Sequence, residues 1–287
     1  AVSIGKTGNI TVKLPDGTDL DAKHQVTVIV TDHKKAPQQG KNVAVKGDLG
    51  QSAAGKTDKN GELTVPEVEQ TERHGVYIVG YTDGTFGPSR SMTRSEAAAI
   101  FARLLAEKNG DTISTAANTK FADIPAHAWY SGYVKYLSSN GITYGKSKTI
   151  FAPNDAITRA EFTTMAVRFF DVYGDGAEEI MEQFSGFNDV SSGYWAAEYI
   201  KYAALHGWIN GYGDGSFHAD REINRAEVVT IVNRLLGREA DEDYIADNLR
   251  KLNTFPDVTK RHWAYYAVME AANAHTAVLG ESESWSK

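Results

Sequence analysis

The sequence predicts a multidomain protein: an N-terminal all-β sandwich followed by a mainly α region built as a pseudo-threefold helical bundle. Three observations carry that prediction. Residues up to about Thr71 form short β-rich runs, residues from Gly75 onward turn rich in alanine and aromatics at helical spacing, and three landmark sets in the second region recur about every 65 residues.

The β-rich runs are "NITVKL", "HQVTVIVTD", "KNVAVKGD" and "GELTVPE", separated by turn signals at Asp16-Gly17 and Asn60-Gly61. They assign residues 1–72 to a small antiparallel sandwich. Beyond it, "TRSE", "TRAE" and "NRAE" place an arginine at 94, 159 and 225. Each signature opens a helix. Ala97/Ile100/Phe101/Leu104, Phe162/Met165/Ala166/Phe169 and Val228/Ile231/Val232/Leu235 fall at i, i+3, i+4, i+7, one apolar stripe apiece. A second helix set begins at "FADIPAHAWYSGYVKYL", "FNDVSSGYWAAEYIKYA" and "FPDVTKRHWAYYAVMEA", each with a tryptophan opening the stripe. The unit therefore runs tryptophan helix, turn, arginine helix, and six such helices should pack as three pairs. Boundaries follow at 73–117 for a first module lacking its front helix, 118–183 and 184–250 for two complete ones, and 251–287 for an orphan half that closes the ring beside the Arg94 unit.

Composition narrows the function classes. A formal charge of −7 without a long Lys/Arg run argues against a nucleic-acid surface. No apolar stretch approaches roughly 18 residues, so no membrane span is expected. There are no cysteines, which removes disulfides and thiolate sites. No export signal is visible, and the chain reads as a mature protein or an excised fragment.

The repeated residues divide by role. Thr93, Thr158 and Asn224 are N-cap residues with Glu96, Glu161 and Glu227 three positions later, the spacing of a capping box. Arg94, Arg159 and Arg225 stand at the first helical position, beside N–H groups that a helix leaves unpaired, where a cation is mildly unfavourable. A guanidinium kept there three times suggests an anionic partner, and its planar fork suits a carboxylate. The alternative is a salt bridge to Asp123, Asp189 or Asp257. Trp129, Trp195 and Trp263 are likewise open between core positions and platforms for a sugar ring. The turns "GYTDGTF" and "GYGDGSF" place Gly80, Tyr81, Gly211 and Tyr212 before the arginine helix, where glycine permits positive φ and close approach and the turn can wall a groove.

Taken together, "F-x-D-[VI]" followed by a tryptophan, the Gly-Tyr-x-Asp-Gly-x-Phe turn and the Thr-Arg-Ala-Glu box resemble a trio of S-layer homology (SLH) modules over residues 75–287. "KTDKNGELTVP" more weakly resembles the late-strand hairpin of bacterial Ig-like modules. The SLH resemblance implies a noncovalent anchor, not an enzyme, located extracellularly at the cell wall or S-layer and needing no cofactor. Its implied ligand is secondary cell-wall polysaccharide carrying pyruvylated N-acetylmannosamine, with self-association in an S-layer as a further partner. It also implies that Arg94, Arg159 and Arg225 face the pyruvate carboxylate, with the three tryptophans, the three aspartates and the turn residues, Gly145 included, completing grooves between modules. A larger extracellular enzyme with its catalytic region outside this chain is the alternative. The second module departs from the pattern: "TYGKSKTIF" lacks the turn aspartate and adds Lys146 and Lys148, which points to an altered groove.

Other chemistries are poorly supported. No His-Glu-x-x-His or Gly-x-Ser-x-Gly occurs. "GITYGKS" imitates a phosphate loop with its glycines one residue too close. "DVYGDGAEEIME" at 171–182 keeps some calcium-loop positions but has tyrosine at the third, and reads better as an acidic linker. The eight histidines are scattered, so surface and helix-cap roles account for them better than a metal site.

Overall fold

The computed structural model describes residues 2–3, 9–13, 26–31, 37, 39, 42–46, 52–56, 58–60, 62–65, 70–173, 186–279 and 283–286. Two compact units divide the chain, one of Ala1–Glu72 with Thr276–Ser286 and the other of Arg73–His275.

In the first unit the strands are β1 (Val2–Ser3), β2 (Asn9–Lys13), β3 (Val26–Thr31), β4 (Asn42–Lys46), β5 (Ser52–Lys56) and β6 (Glu62–Val65). They form two antiparallel sheets, β1-β4-β5 and β2-β3-β6, with Thr11 opposite Ile29 and Ala44 opposite Ala54. Between β5 and β6 the Asp58 carboxylate accepts from the backbone N–H groups of Asn60 and Glu62 at 2.8 and 2.9 Å, an Asx turn where the sequence signals one. The Asp16-Gly17 turn, Gly61 and most connections that would define an Ig-like topology lie outside the described residues. Further on come β7 (Gln70–His74), and near the C-terminus β8 (His275–Leu279) and β9 (Ser284–Ser286), forming a third sheet in that order. The C-terminal segment is thus not wholly a helical half-module. Its helix ends at Ala272, and two strands follow.

The second unit carries α1 (Arg94–Asn109), α2 (Ser131–Ser139), α3 (Arg159–Tyr173), α4 (Ala197–Leu205), α5 (Arg225–Leu236), α6 (Glu242–Asn248) and α7 (Tyr265–Ala272). All twelve residues of the three arginine-helix stripes are buried. Pairing is offset from the sequence modules: α1 packs with α2, α3 with α4 and α5 with α7, so each arginine helix holds the tryptophan-preceded helix that follows it. The short α6 is additional to the repeat; the Asp241 side chain caps it by accepting from Tyr244 N–H at 2.8 Å. Residues 174–185, holding most of the calcium-loop-like stretch, lie outside those described.

A ring of backbone hydrogen bonds organises the unit. Met92 N–H donates to Ile223 C=O at 3.0 Å, Ile223 N–H to Ile157 C=O at 3.0 Å, and Ile157 N–H to Met92 C=O at 2.9 Å. These three residues precede the three signatures and are fully buried. Closing that triangle requires all three modules, which makes the ring cooperative. The turn phenylalanines Phe86, Phe151 and Phe217 are fully buried too, and pair with Phe255, Phe121 and Phe187 at centroid distances of 5.3, 5.5 and 5.2 Å. Phe255, next to the C-terminal helix, therefore serves the turn of the first module.

Candidate functional site

The signature residues cap their helices in the same way three times. Thr93 and Asn224 complete capping boxes at α1 and α5, each accepting from the N–H of Glu96 or Glu227 while that glutamate accepts from the cap N–H. At α3, Glu161 N–H donates to Thr158 Oγ1 at 3.2 Å and Thr158 N–H donates to Glu161 Oε2 at 3.1 Å. The second glutamate oxygen then reaches an arginine from the preceding module: Arg94 Nη1 lies 3.1 Å from Glu161 Oε1, and Arg159 Nη1 lies 3.2 Å from Glu227 Oε1. One carboxylate thus caps its own helix and ties its neighbour to it.

The three arginines are buried, at 4 to 5% exposure. Arg94, Arg159 and Arg225 donate through Nε to the carbonyls of Phe151, Phe217 and Phe86 at 2.8, 2.9 and 2.8 Å, so each reads the turn of the next module and Arg225 closes the cycle on the first. Arg159 Nη2 also donates to Asn210 C=O at 3.1 Å, and Arg225 Nη2 to Val79 C=O at 2.6 Å. Burial lowers the pKa of both Arg159 and Arg225 from the usual arginine value.

Two sequence expectations change. The helix N-termini do not offer unpaired donors at their first two positions. Arg94, Arg159 and Arg225 N–H donate to the carbonyls of Asp155, Arg221 and Arg90, and the next residues Ser95, Ala160 and Ala226 donate to Pro153, Ala219 and Pro88, all at 2.8 to 3.0 Å. Anion recognition there cannot rest on open helix ends. The acidic partners of Arg94 and Arg159, moreover, are the capping glutamates of the next module. Asp123, Asp189 and Asp257 bind backbone instead, each accepting two adjacent N–H groups at 2.7 to 2.9 Å, from Phe151 and Ala152, Phe217 and His218, and Phe86 and Gly87. For Asp189 and Asp257 burial works against ionisation, but these donors overcome it and hold the carboxyls below the usual range.

The tryptophans depart from the core reading. Trp129, Trp195 and Trp263 are 55, 56 and 65% exposed. Each sits two residues ahead of its helix between successive tight turns: Ala128 N–H donates to Pro125 C=O and Ser131 N–H to Ala128 C=O, with counterparts around Trp195 and Trp263. The helix stripe starts after the indole, which is left facing solvent. Gly80, Gly145 and Gly211 share another constraint. A Cβ on any of them would lie 2.5 Å from the ring of Phe255, Phe121 or Phe187, and only Gly145 needs positive φ.

The turn aromatics lie against the arginines. Tyr81 carries Arg225 at 4.7 Å and Arg90 at 4.4 Å from its ring centroid; Tyr212 carries Arg159 at 5.2 Å and Arg221 at 5.5 Å. Arg90 and Arg221 are exposed, and sequence analysis passed over them. The signal was available, since each stands four residues before a signature arginine. The second module inverts the pair. Lys146 takes the tyrosine place, its N–H donating to Ile150 C=O as Tyr81 donates to Thr85 and Tyr212 to Ser216. Asp155 takes the place of the second arginine, 3.5 Å from the Lys146 amine. Two sites therefore present an aromatic ring between two guanidiniums, and the third a lysine–aspartate pair.

Residues 64–98, 120–163 and 186–229 match the S-layer homology domain. The chain carries three SLH domains. Its relatives include cell surface glycoprotein 1 of Acetivibrio thermocellus, 34% identical over 218 residues, covering 73% of this chain and 9% of that protein. The cellulosome-anchoring protein of the same organism is 30% identical over 231 residues, 80% of this chain and 49% of the relative, and its exoglucanase XynX is 33% identical over 159 residues, 55% and 14%. The chain thus spans at most about half the length of these relatives. No helix among the described residues is long and apolar enough to cross a membrane.

Proposed function

We propose that this chain is an extracellular, noncovalent cell-wall anchor whose SLH domains bind pyruvylated secondary cell-wall polysaccharide, and that it performs no catalysis itself. The observation that carries the reading is the tyrosine held between two guanidiniums at Tyr81 and Tyr212. A ring face there can meet a sugar, while Arg90 and Arg221, exposed beside it, can meet a carboxylate. The buried Arg225 and Arg159 set the ring and add positive potential without leaving their carbonyls. The exposed indoles of Trp129, Trp195 and Trp263 supply further stacking faces. Asp123, Asp189 and Asp257 act on the ligand indirectly, by fixing the turns. Gly80, Gly145 and Gly211 let those turns lie on phenylalanine. The N-terminal strands act in this reading as an Ig-like spacer.

Calorimetric titration with pyruvylated wall polysaccharide, and with the same polymer after mild acid removal of pyruvate, tests the proposal. Binding confined to the pyruvylated form is expected. Equal binding to both would remove the carboxylate role and leave stacking alone, and no binding to either would leave SLH domains without this ligand. Light scattering on the same sample tests self-association as in an S-layer. The similarity to an exoglucanase over a small part of that protein favours a second reading, in which these domains anchor a larger extracellular enzyme. Turnover of polysaccharide by a longer form, and none by residues 1–287, distinguishes it.

A further inference from the structure

Outside the repeated sites, three titratable side chains meet at the boundary of the helical unit. His74 stands at the end of β7 and His275 at the start of β8, 201 residues apart in sequence, and Glu270 lies on α7. All three are buried, at 3, 7 and 1% exposure. His74 Nδ1 is 3.1 Å from His275 Nε2 and 3.2 Å from Glu270 Oε1, and His275 Nε2 is 3.3 Å from Glu270 Oε2. Contrary to the surface and cap roles that the sequence suggested, these two histidines are buried and belong to a cluster with metal-ligating potential.

With both imidazoles neutral, at most one ring N–H of this trio can reach the Glu270 carboxylate. His275 Nδ1 lies 3.0 Å from Asn273 C=O, so in a neutral ring that nitrogen carries the proton and Nε2 presents a lone pair. That lone pair points at a carboxylate and at another imidazole nitrogen. A proton on His74 Nδ1 can serve Glu270 or His275, but not both. Neither oxygen of Glu270 accepts a hydrogen bond of good geometry among the described residues. A buried carboxylate in that state is costly. A cation between the three groups would supply the positive partner that the buried Glu270 carboxylate lacks.

We propose that His74, Glu270 and His275 bind one divalent transition-metal ion, with Zn²⁺ the best fit, and that this ion clasps the two ends of the helical unit together. Ligands about 2.0–2.1 Å from a tetrahedral zinc stand about 3.3–3.4 Å apart, close to the observed separations. Two imidazoles with a carboxylate suit zinc or its neighbours and do not suit calcium or magnesium. The His275 contact to a backbone carbonyl is the outer hydrogen bond that fixes a metal-binding tautomer. Water or a further carboxylate takes the fourth position. The role is structural: His74 and His275 stand at the two ends of the unit, and in a chain with no cysteine such a staple replaces a disulfide.

The test uses the 287-residue chain free of any histidine tag. Zinc content by plasma mass spectrometry is expected at about one equivalent per chain after incubation with Zn²⁺ and dialysis, and Co²⁺ substitution should give the visible bands of a tetrahedral site. EDTA should lower the thermal midpoint, and Zn²⁺ but not Mg²⁺ or Ca²⁺ should restore it. H275Q and E270Q should each weaken zinc binding by roughly a hundredfold or more with helical circular dichroism retained. Substoichiometric zinc in the folded wild type, or a midpoint indifferent to both chelator and zinc, overturns the proposal. So does undiminished zinc binding in both variants. Where a variant fails to fold, the wild-type titration decides alone.

Discussion

Replacing Arg159 by alanine separates a structural from a purely ligand-facing arginine. Burial leaves the Phe217 carbonyl without its 2.9 Å donor, a loss of about 1–3 kcal/mol for a buried acceptor. The guanidinium also lies 4.5 Å from the Phe217 ring centroid, worth roughly 0.5–2 kcal/mol where desolvated. Two further losses are small. Asn210 is exposed, so water replaces the donor to its carbonyl, and Glu227 keeps Asn224 N–H, Arg221 and Tyr212 as partners. The expected cost is about 2–4 kcal/mol, with Arg159→Lys recovering part of it because an ammonium can reach one carbonyl but not the fork of three acceptors. Chemical denaturation followed by far-UV circular dichroism reads the loss directly. A change below about 0.5 kcal/mol, the size of an ordinary surface substitution, would refute the bridging role and return the arginine to the ligand alone.

Other expectations follow from the same geometry. Arg90→Ala and Arg221→Ala, both at exposed positions, should leave the thermal midpoint nearly unchanged while weakening polysaccharide binding by about 1.5–3 kcal/mol each in calorimetry; unaltered affinity would remove them from the site. Gly211→Ala forces a Cβ within 2.5 Å of the Phe187 ring and should cost about 1–3 kcal/mol in a denaturation midpoint, whereas a neutral result would mean the turn can shift freely. Stability should also fall with acid. Because Asp189 and Asp257 have depressed folded-state pKa values, their contribution is present above the unfolded carboxylate pKa near about 4 and lost as pH drops through the folded values. Asp189→Asn should flatten that part of the pH–stability curve, and an unchanged slope would exclude the residue as a source.

Much of this architecture was legible from period and spacing. The three helix stripes and the capping boxes depend on residues within a turn or two of each other, so local patterning exposes them. The SLH matches fall on the same repeats. What spacing hid was the offset between a sequence module and a packed one. The arginine of one repeat pairs with the glutamate of the next, 67 or 68 positions on, and nothing local to "TRAE" reveals a partner in another copy. The indoles stayed open between core and platform for a related reason. A tryptophan two residues before a helix keeps the stripe spacing, yet tight turns rotate it off the buried face. His74 and His275 lay furthest from reach, since two histidines at opposite ends of a chain carry no periodic signal until the fold joins them.

Burial of the signature arginines bears on recognition in a way that exposure would not. An exposed guanidinium would meet an anion alone and lose side-chain entropy in doing so. Held by carbonyls, and Arg159 by Glu227 as well, Arg159 and Arg225 are ordered before any ligand arrives, and each lies against a tyrosine face that also carries the exposed arginine at 221 or 90. The proposed recognition surface is then distributed across modules, because the tyrosine and outer arginine come from one repeat and the inner arginine from the repeat before it. In the second module that arrangement is replaced by Lys146, 3.5 Å from Asp155, so no aromatic ring stands between two guanidiniums there. A polymer bearing carboxylates should therefore occupy the Tyr81 and Tyr212 sites in preference to the Lys146 site, giving two ligands per chain. Calorimetric stoichiometry of three would mean that the lysine alone suffices and that the aromatic ring between two arginines is not what the ligand requires.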